Sequence, residues 1–138
     1  MKPIASYPLR VYIEDTDCNG IVYHANFLKF MERARSEWLY SLGFDEQSLL
    51  AMRVGFVIRT AEVEYFLPAR VGSQLQVDTF VKEVKRSSVE FFQKIVNTAT
   101  NELLCSGKIL VVVINEKFRP AAIPIELLNH FKEESIDA

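Results

Sequence analysis

Two cysteines, five glycines, five prolines and one tryptophan are all that 138 residues supply of these types. Cys18 and Cys105 are too few for a disulfide framework, and neither sits in a CxxC or Cys/His spacing that holds a metal. No metal and no cofactor are therefore expected. Glycine and proline punctuate the chain without clustering, and no linker, repeat or low-complexity tract separates one part from another. The longest aliphatic run, Ile109 to Ile114, is six residues, far short of the ~20 that span a bilayer. The N-terminal stretch MKPIASYPLR lacks the apolar segment of a secretory signal. Basic residues are not in excess: 16 Lys and Arg face 18 Asp and Glu, for a net charge of -2. Such a balance excludes a general nucleic-acid binder, which needs positive charge to displace counterions.

What is present is an ordinary globular mixture, 49% hydrophobic, 25% charged and 12% aromatic. The length fits one domain over residues 1–138. A chain this size buries about two-thirds of its unfolded surface and needs no staples. Mean hydropathy is +0.07, high for a small soluble domain, and a packed subunit interface accounts for it. The expectation is a soluble, reduced, cytoplasmic homo-oligomer.

Periodicity divides the chain. Tyr7 to Glu14 alternates like a strand, with Val11 and Ile13 on one face. A polar turn follows over Asp15-Thr16-Asp17-Cys18-Asn19-Gly20. Phe27, Phe30, Met31, Ala34, Trp38 and Leu42 then recur at helical steps, predicting an amphipathic helix of about five turns closed by Gly43 as a C′ residue. After a short loop, Val54–Leu67, Val71–Lys85, Ser88–Asn97 and Leu103–Asn115 read as strands in an antiparallel meander. The last is the most apolar and is expected at the centre. Pro124 to Glu134 reads as a short terminal helix. One long helix against one antiparallel sheet is an α+β layer.

Chemistry concentrates between Val11 and Trp38. Asp15 and Asp17 sit in a tight turn, Gly20 lets the backbone bend, and a helix begins near Tyr23 to Asn26. A helix start offers unpaired N–H groups and partial positive charge. A carboxylate beside such donors is the pairing that acyl transfer from an ester or thioester uses. The donors stabilise the developing oxyanion, and the carboxylate attacks the carbonyl or activates water. The same residues also suit plain turn-capping.

The motif Asp15-Thr16-Asp17, the stretch Gly20-Ile21-Val22-Tyr23-His24-Ala25-Asn26, Glu32-Arg33-Ala34-Arg35, Phe56-Val57-Ile58-Arg59 and Tyr65-Phe66-Leu67-Pro68-Ala69-Arg70 together resemble the hotdog-fold acyl-CoA thioesterases of the 4-hydroxybenzoyl-CoA thioesterase family. The closest likeness is to the branch encoded beside the bacterial Tol-Pal envelope system. The resemblance covers nearly the whole chain and implies a sheet wrapped around a long central helix. It implies Asp17 as the catalytic carboxylate, acting as nucleophile or general base, and the His24 backbone N–H as the group that polarises the thioester carbonyl. The His24 imidazole, Tyr23 and Asn26 would line the pocket. Lys85, Arg86, Ser87 and Ser88 would hold the coenzyme A phosphates, and Arg59 would flank the acyl and pantetheine channel. The active site would form at a dimer interface, with dimers pairing into a homotetramer, and the substrate would be an acyl-CoA or acyl carrier protein thioester. Asn19 departs from the small residue usual at its position, which bears on the loop.

Blander readings stand beside these. Asp15 caps the turn. Cys18 is an inert thiol without an arranged base. Lys85 and Arg86 form a solvated hairpin. Arg59 pairs with Glu62 or Glu64. Glu32, on the helix, is second choice as the catalytic carboxylate. Bulky Phe27, Phe30 and Phe56 favour a short acyl group. Two other functions are weighed: a hotdog dehydratase, disfavoured because Ala25-Asn26 rather than Pro-Gly follows His24, and a non-catalytic acyl-thioester-binding or envelope partner protein.

Overall fold

The computed structural model describes residues 2–136. Strand β1 (Ala5–Arg10) leads through a short 3-10 turn (Ile13–Asp15) to helix α1 (Asn26–Ser41). A short helix α2 (Glu46–Ala51) follows, then β2 (Gly55–Tyr65), β3 (Gln74–Val84), β4 (Ser88–Asn97), β5 (Glu102–Ile114) and helix α3 (Ile125–Glu134). The five strands form one antiparallel sheet in the order β1-β3-β4-β5-β2. This is the α+β hotdog arrangement expected from the sequence.

Helix α1 lies across one face of the sheet. Its buried residues Phe27, Phe30, Met31, Ala34 and Trp38 are those the helical period picks out. They meet Val77, Val81, Ile95, Cys105 and Ile109 of the strands in one continuous core. Gly107 lets Met31 approach: a Cβ there would stand 2.8 Å from the Met31 sulfur. Helix α3 extends the same layer, with Phe131 packed on Trp38 and Phe91 at ring distances of 5.5 and 5.9 Å.

Four expectations are corrected. The first strand ends at Arg10, not Glu14, because the Asp15 carboxylate captures the Tyr12 N–H at 2.8 Å and folds the chain into the 3-10 turn. Val11 stays buried while Ile13 is 77% exposed. The meander is confined to β3, β4 and β5. Strand β2 pairs with β5 instead of β3 and forms an edge. Its link to β3 is drawn across to the helix start, where Ala69 accepts from the Val22 N–H at 2.8 Å. The middle strand is β4, with β5 between it and β2. Helix α2 was expected as loop. Asp45 and Ser48 bond reciprocally around its first turn, a capping box that uses Ser where Glu or Gln is the usual signature.

Strand β2 carries a bulge. Register shifts between Ile58 and Thr60, leaving Arg59 without a partner on β5. An extra residue reverses the alternation after it. Phe56 and Ile58 face the helix side, and Ala61, Val63 and Tyr65 take over that face beyond the bulge. Without it, Glu62 and Glu64 would point inward.

Candidate active site

The turn before α1 is a small hairpin. Asp17 N–H donates to Ile21 O at 2.9 Å, Tyr23 N–H donates to Asp15 O at 2.9 Å, and Thr16 bridges Val22 between them. Gly20 closes the turn at φ +75°, a left-handed conformation that favours glycine. Alternation sends Val22 into the core and leaves Asp17 on the opposite face. Asp15 serves the backbone throughout. Its carboxylate holds Tyr12, and its carbonyl accepts from both Tyr23 N–H and Asn26 Nδ2, the latter at 2.8 Å. It is the turn-capping residue of the pair.

Asp17 is half-buried. Its Oδ1 accepts from the Asn19 N–H at 2.8 Å, which fixes the side chain in an Asx turn and leaves Oδ2 without a hydrogen bond among the described residues. No cation lies within ion-pair distance of it among those residues.

His24 and Ala25 open α1. Asn26, Phe27 and Leu28 donate back to Tyr23, His24 and Ala25 in the first turn, whereas the N–H groups of His24 and Ala25 find no acceptor among the described residues. No side chain caps the helix: the N-cap position is Ala25. Two donors therefore stay free at the positive end of a 16-residue helix. The exposed His24 ring lies 4.6 Å from Tyr23 and 6.0 Å from Tyr65, centre to centre. Tyr65 Oη donates to His24 O at 3.0 Å. Beside them runs an open groove of about 340 Å³ lined by His24, Ile21, Phe27, Tyr65, Phe66 and Leu67 among others. Burial raises the Tyr65 phenol above its ordinary pKa, with Cys105 adding to the effect, so the hydroxyl stays a donor at neutral pH.

Tyr23, His24, Asn26 and Asp17 are thus held on one hairpin and the helix start that follows it, although of the four only His24 lines the groove. The other expected site residues lie elsewhere. Arg59 sits exposed on the β2 bulge with no acidic residue in ion-pair range among the described residues, so it pairs with neither Glu62 nor Glu64 there. The Lys85–Ser88 turn joins β3 to β4 at the far end of the sheet. Ser88 and Asn97 bound β4, and ten residues of strand span on the order of 30 Å. At that far end Lys85 N–H donates to Ser88 O, Ser87 O accepts from Val113 N–H, and Arg86 O accepts from Ile123 N–H. Lys85 Nζ lies 3.8 Å from Glu83. Glu32, the alternative carboxylate, is exposed on α1, two turns beyond the free donors.

Tyr65 is a site residue that sequence reasoning missed. It opens the Tyr65–Arg70 stretch that carries part of the resemblance, but its role depends on His24 and Phe27 at the helix start, some forty residues earlier in the chain. Cys18 is an exposed free thiol and Cys105 a buried one. Burial pushes the Cys105 thiol up to about 12, which removes it from chemistry at neutral pH.

The chain is similar to known proteins. The sequence model of the thioesterase-like superfamily matches residues 11–131. The chain is 44% identical over 128 residues to the acyl-CoA thioester hydrolase YbgC of Escherichia coli O6:H1, spanning 92% of this chain and 95% of that one. It is 39% identical over 123 residues to the acyl-CoA thioesterase YbgC of Haemophilus influenzae, spanning 88% and 90%. Among solved structures, a probable thioesterase from Bartonella henselae superposes with a TM-score of 0.81 at 32% identity, over 86% of this chain and 98% of the other.

Proposed function

Because this chain belongs to the thioesterase-like superfamily, we propose that its Asp17–His24 turn carries the hydrolysis of acyl-CoA thioesters. The chain is an acyl-CoA thioester hydrolase, and one observation supports this assignment of the reaction within it. Unused N–H groups at His24 and Ala25 stand at the start of α1, on the hairpin that holds a carboxylate with one free oxygen. The thioester carbonyl oxygen takes the place of the missing acceptor and gains hydrogen bonds as negative charge develops on it. Asp17 attacks the carbonyl carbon, giving a mixed anhydride that water then opens, or it takes a proton from water as that water attacks. Either route releases coenzyme A as the thiol and the acyl group as a carboxylic acid. Phe27 lines the groove, with Phe30 against it at a ring distance of 5.9 Å. Their bulk favours short acyl groups.

The site is shared between two copies of the chain in this reading. Within one chain the Lys85–Ser88 turn and Asp17 lie at opposite ends of the sheet. Strand β2 is an edge with Val57, Ile58, Tyr65, Phe66 and Leu67 all more than a third exposed at or just beyond it. Open apolar edges are normally paired. Antiparallel pairing of two β2 edges about a two-fold axis carries the partner's far end of the sheet toward this chain's Asp17 end. Lys85, Arg86, Ser87 and Ser88 then meet the nucleotide phosphates of a thioester held at the partner's Asp17 turn, with Arg59 along the route. Coenzyme A and acyl carrier protein present the same pantetheine arm and differ beyond it. Half-buried Phe92, Leu110 and Val112 on the sheet's other face, beside exposed Val57, support back-to-back pairing of dimers into a tetramer. Two free cysteines suit a cytoplasmic setting, and no helix among the described residues is long and apolar enough to cross a membrane.

The test is release of free thiol from acyl-CoAs of graded chain length by the wild type and Asp17→Asn. Loss of a general base or nucleophile lowers turnover by about 10²–10⁴-fold. Near-normal turnover of Asp17→Asn on every substrate overturns the assignment.

A further inference from the structure

Beyond strand β5 the chain forms a tight tip. Ile114 bridges Pro120, and residues 115–119 turn back between them. Asn115 N–H donates to Arg119 O at 2.9 Å, and Phe118 N–H donates to Asn115 O at 3.0 Å. The Asn115 side chain closes the turn, its Oδ1 accepting from the N–H groups of Lys117 at 2.9 Å and Arg119 at 3.2 Å. Three successive N–H groups at the apex thus have partners inside the turn, and Pro120 has no N–H to satisfy. Every residue from Asn115 to Pro120 is exposed.

Phe118 breaks two rules at this apex. Its φ is +59°, a left-handed conformation that strains a bulky residue and suits glycine or asparagine. Its side chain is 80% exposed, the most exposed large hydrophobic among the described residues, so packing within the chain does not offset the strain. A residue that disfavours the fold in both ways points to a contact outside the chain.

The surroundings of Phe118 indicate the kind of contact. A chain of net charge -2 has gathered cations here. Lys117 and Arg119 flank the ring, and neither makes an ion pair among the described residues. Arg53, in the link between α2 and β2, comes within 3.7 Å of Glu116. Its N–H donates to the carbonyl of Leu50, whose side chain is 76% exposed. Three cations therefore gather around one carboxylate, with bare apolar side chains beside them. A convex tip of five residues cannot bury the roughly 800 Å² per partner of a stable protein complex. A bilayer needs no complementary shape. It draws cations to anionic headgroups and takes an aromatic ring at the boundary of headgroups and acyl chains. It admits backbone whose N–H groups are already bonded, which the Asn115 turn supplies.

We propose that the 115–119 tip docks on an anionic lipid bilayer, the Phe118 ring entering its interface and Lys117, Arg119 and Arg53 meeting lipid phosphates. The proposal asks nothing of the Asp17 turn or of the Lys85–Ser88 turn.

Co-sedimentation with vesicles tests it, using phosphatidylcholine alone and phosphatidylcholine with an equal amount of phosphatidylglycerol. The wild type is expected to bind the mixed vesicles at least about tenfold more tightly, with the difference shrinking as salt rises. Phe118→Gly is expected to weaken that binding by about tenfold, the worth of one buried aromatic side chain. It is also expected to raise Tm, because glycine is at ease at this φ, and to release thiol from a soluble acyl-CoA at the wild-type rate. Lys117→Glu combined with Arg119→Glu is expected to abolish the preference for anionic lipid. The proposal is overturned if the two vesicle types bind alike, or if Phe118→Gly binds as the wild type does or lowers Tm. It is overturned equally if Phe118→Gly slows thiol release, which gives the ring to the substrate, or if poly-glutamate binds as tightly as the mixed vesicles, which makes the tip a dock for an acidic protein.

Discussion

The Tyr65 hydroxyl donates to the carbonyl of His24 at 3.0 Å, tying the end of edge strand β2 to the residue whose own N–H is free at the start of α1. The bond fixes the His24–Ala25 peptide, whose N–H is the second free donor, from its carbonyl side. Tyr65→Phe keeps the ring against Phe27, 5.7 Å away, and removes only the hydroxyl. A lost hydrogen bond of this kind costs about 0.5–1.5 kcal/mol, which lowers Tm by a few degrees. A purely structural bond ends there. If the bond positions the donor, kcat for thiol release also falls several-fold at temperatures well below the transition, with KM little changed.

Asn26 bonds the same Asp15 carbonyl that Tyr23 uses, so one side chain locks the hairpin that displays Asp17. Asn26→Ala frees that hairpin at a cost of about 1 kcal/mol. Asn26→Asp also replaces the donor with an acceptor and sets a third carboxylate beside Asp15 and Asp17. Both variants are expected to keep the wild-type far-UV spectrum. Thiol release falls in both, with Asn26→Asp the slower. Equal and undiminished rates show that the loop holds its shape without Asn26.

Much of this architecture is readable from residue order, and the parts that are not have a common cause. The apolar face of α1 follows from the spacing of Phe27, Phe30, Met31, Ala34 and Trp38, because a helical period is a local property. The polar turn with Asp15 and Asp17 is readable for the same reason. The place of β2 in the sheet is not, since pairing with β5 rather than β3 is decided by contacts some fifty residues apart. The bulge at Arg59 leaves a trace in hindsight, as the apolar positions shift parity between Ile58 and Ala61. Gln93 stands out on the apolar face of β4 between Phe91 and Ile95, but its partners Arg35, Met31 and Thr79 come from other elements. The distance between Asp17 and the Lys85–Ser88 turn is likewise a product of topology, and a linear motif carries no measure of it.

The two thiols are expected to behave differently. Cys18 is exposed and Cys105 buried, so a thiol reagent at mildly alkaline pH titrates one group per native chain and two in denaturant. Burial raises the Cys105 pKa from about 9 to about 12. Below pH ~9 the thiol is protonated in both states. Between these values the unfolded chain has lost the proton while the folded one retains it, so the unfolded state binds fewer protons and stability falls as pH rises. Replacing the thiol by Cys105→Ala costs stability at pH 7 through the cavity it leaves, and is expected to flatten the alkaline loss relative to the wild type. Parallel Tm profiles for the two proteins between pH 8 and 11 contradict this.

Gly107 of β5 leaves room for the Met31 side chain of α1 against the sheet. A Cβ on Gly107 would lie 2.8 Å from Met31 Sδ and 2.9 Å from its Cε, far inside ordinary contact. The conflicting atoms are the end of a flexible side chain, so the helix need not move if the thioether can rotate away. Met31 is wholly buried, however, and a dense core gives it little room. Gly107→Ala is therefore expected to destabilise by about 1–3 kcal/mol, the usual cost of overpacking. Met31→Val alone costs a similar amount by leaving a void. In the double variant the added methyl moves into the space that the thioether vacates, so the two losses do not add. Urea unfolding of all four proteins measures the coupling, expected at about 1 kcal/mol or more in favour of the pair. Additive losses mean that the helix shifts as a body to admit the methyl. In that case Gly107→Ala also displaces the His24 donors at the head of α1, and thiol release drops with stability.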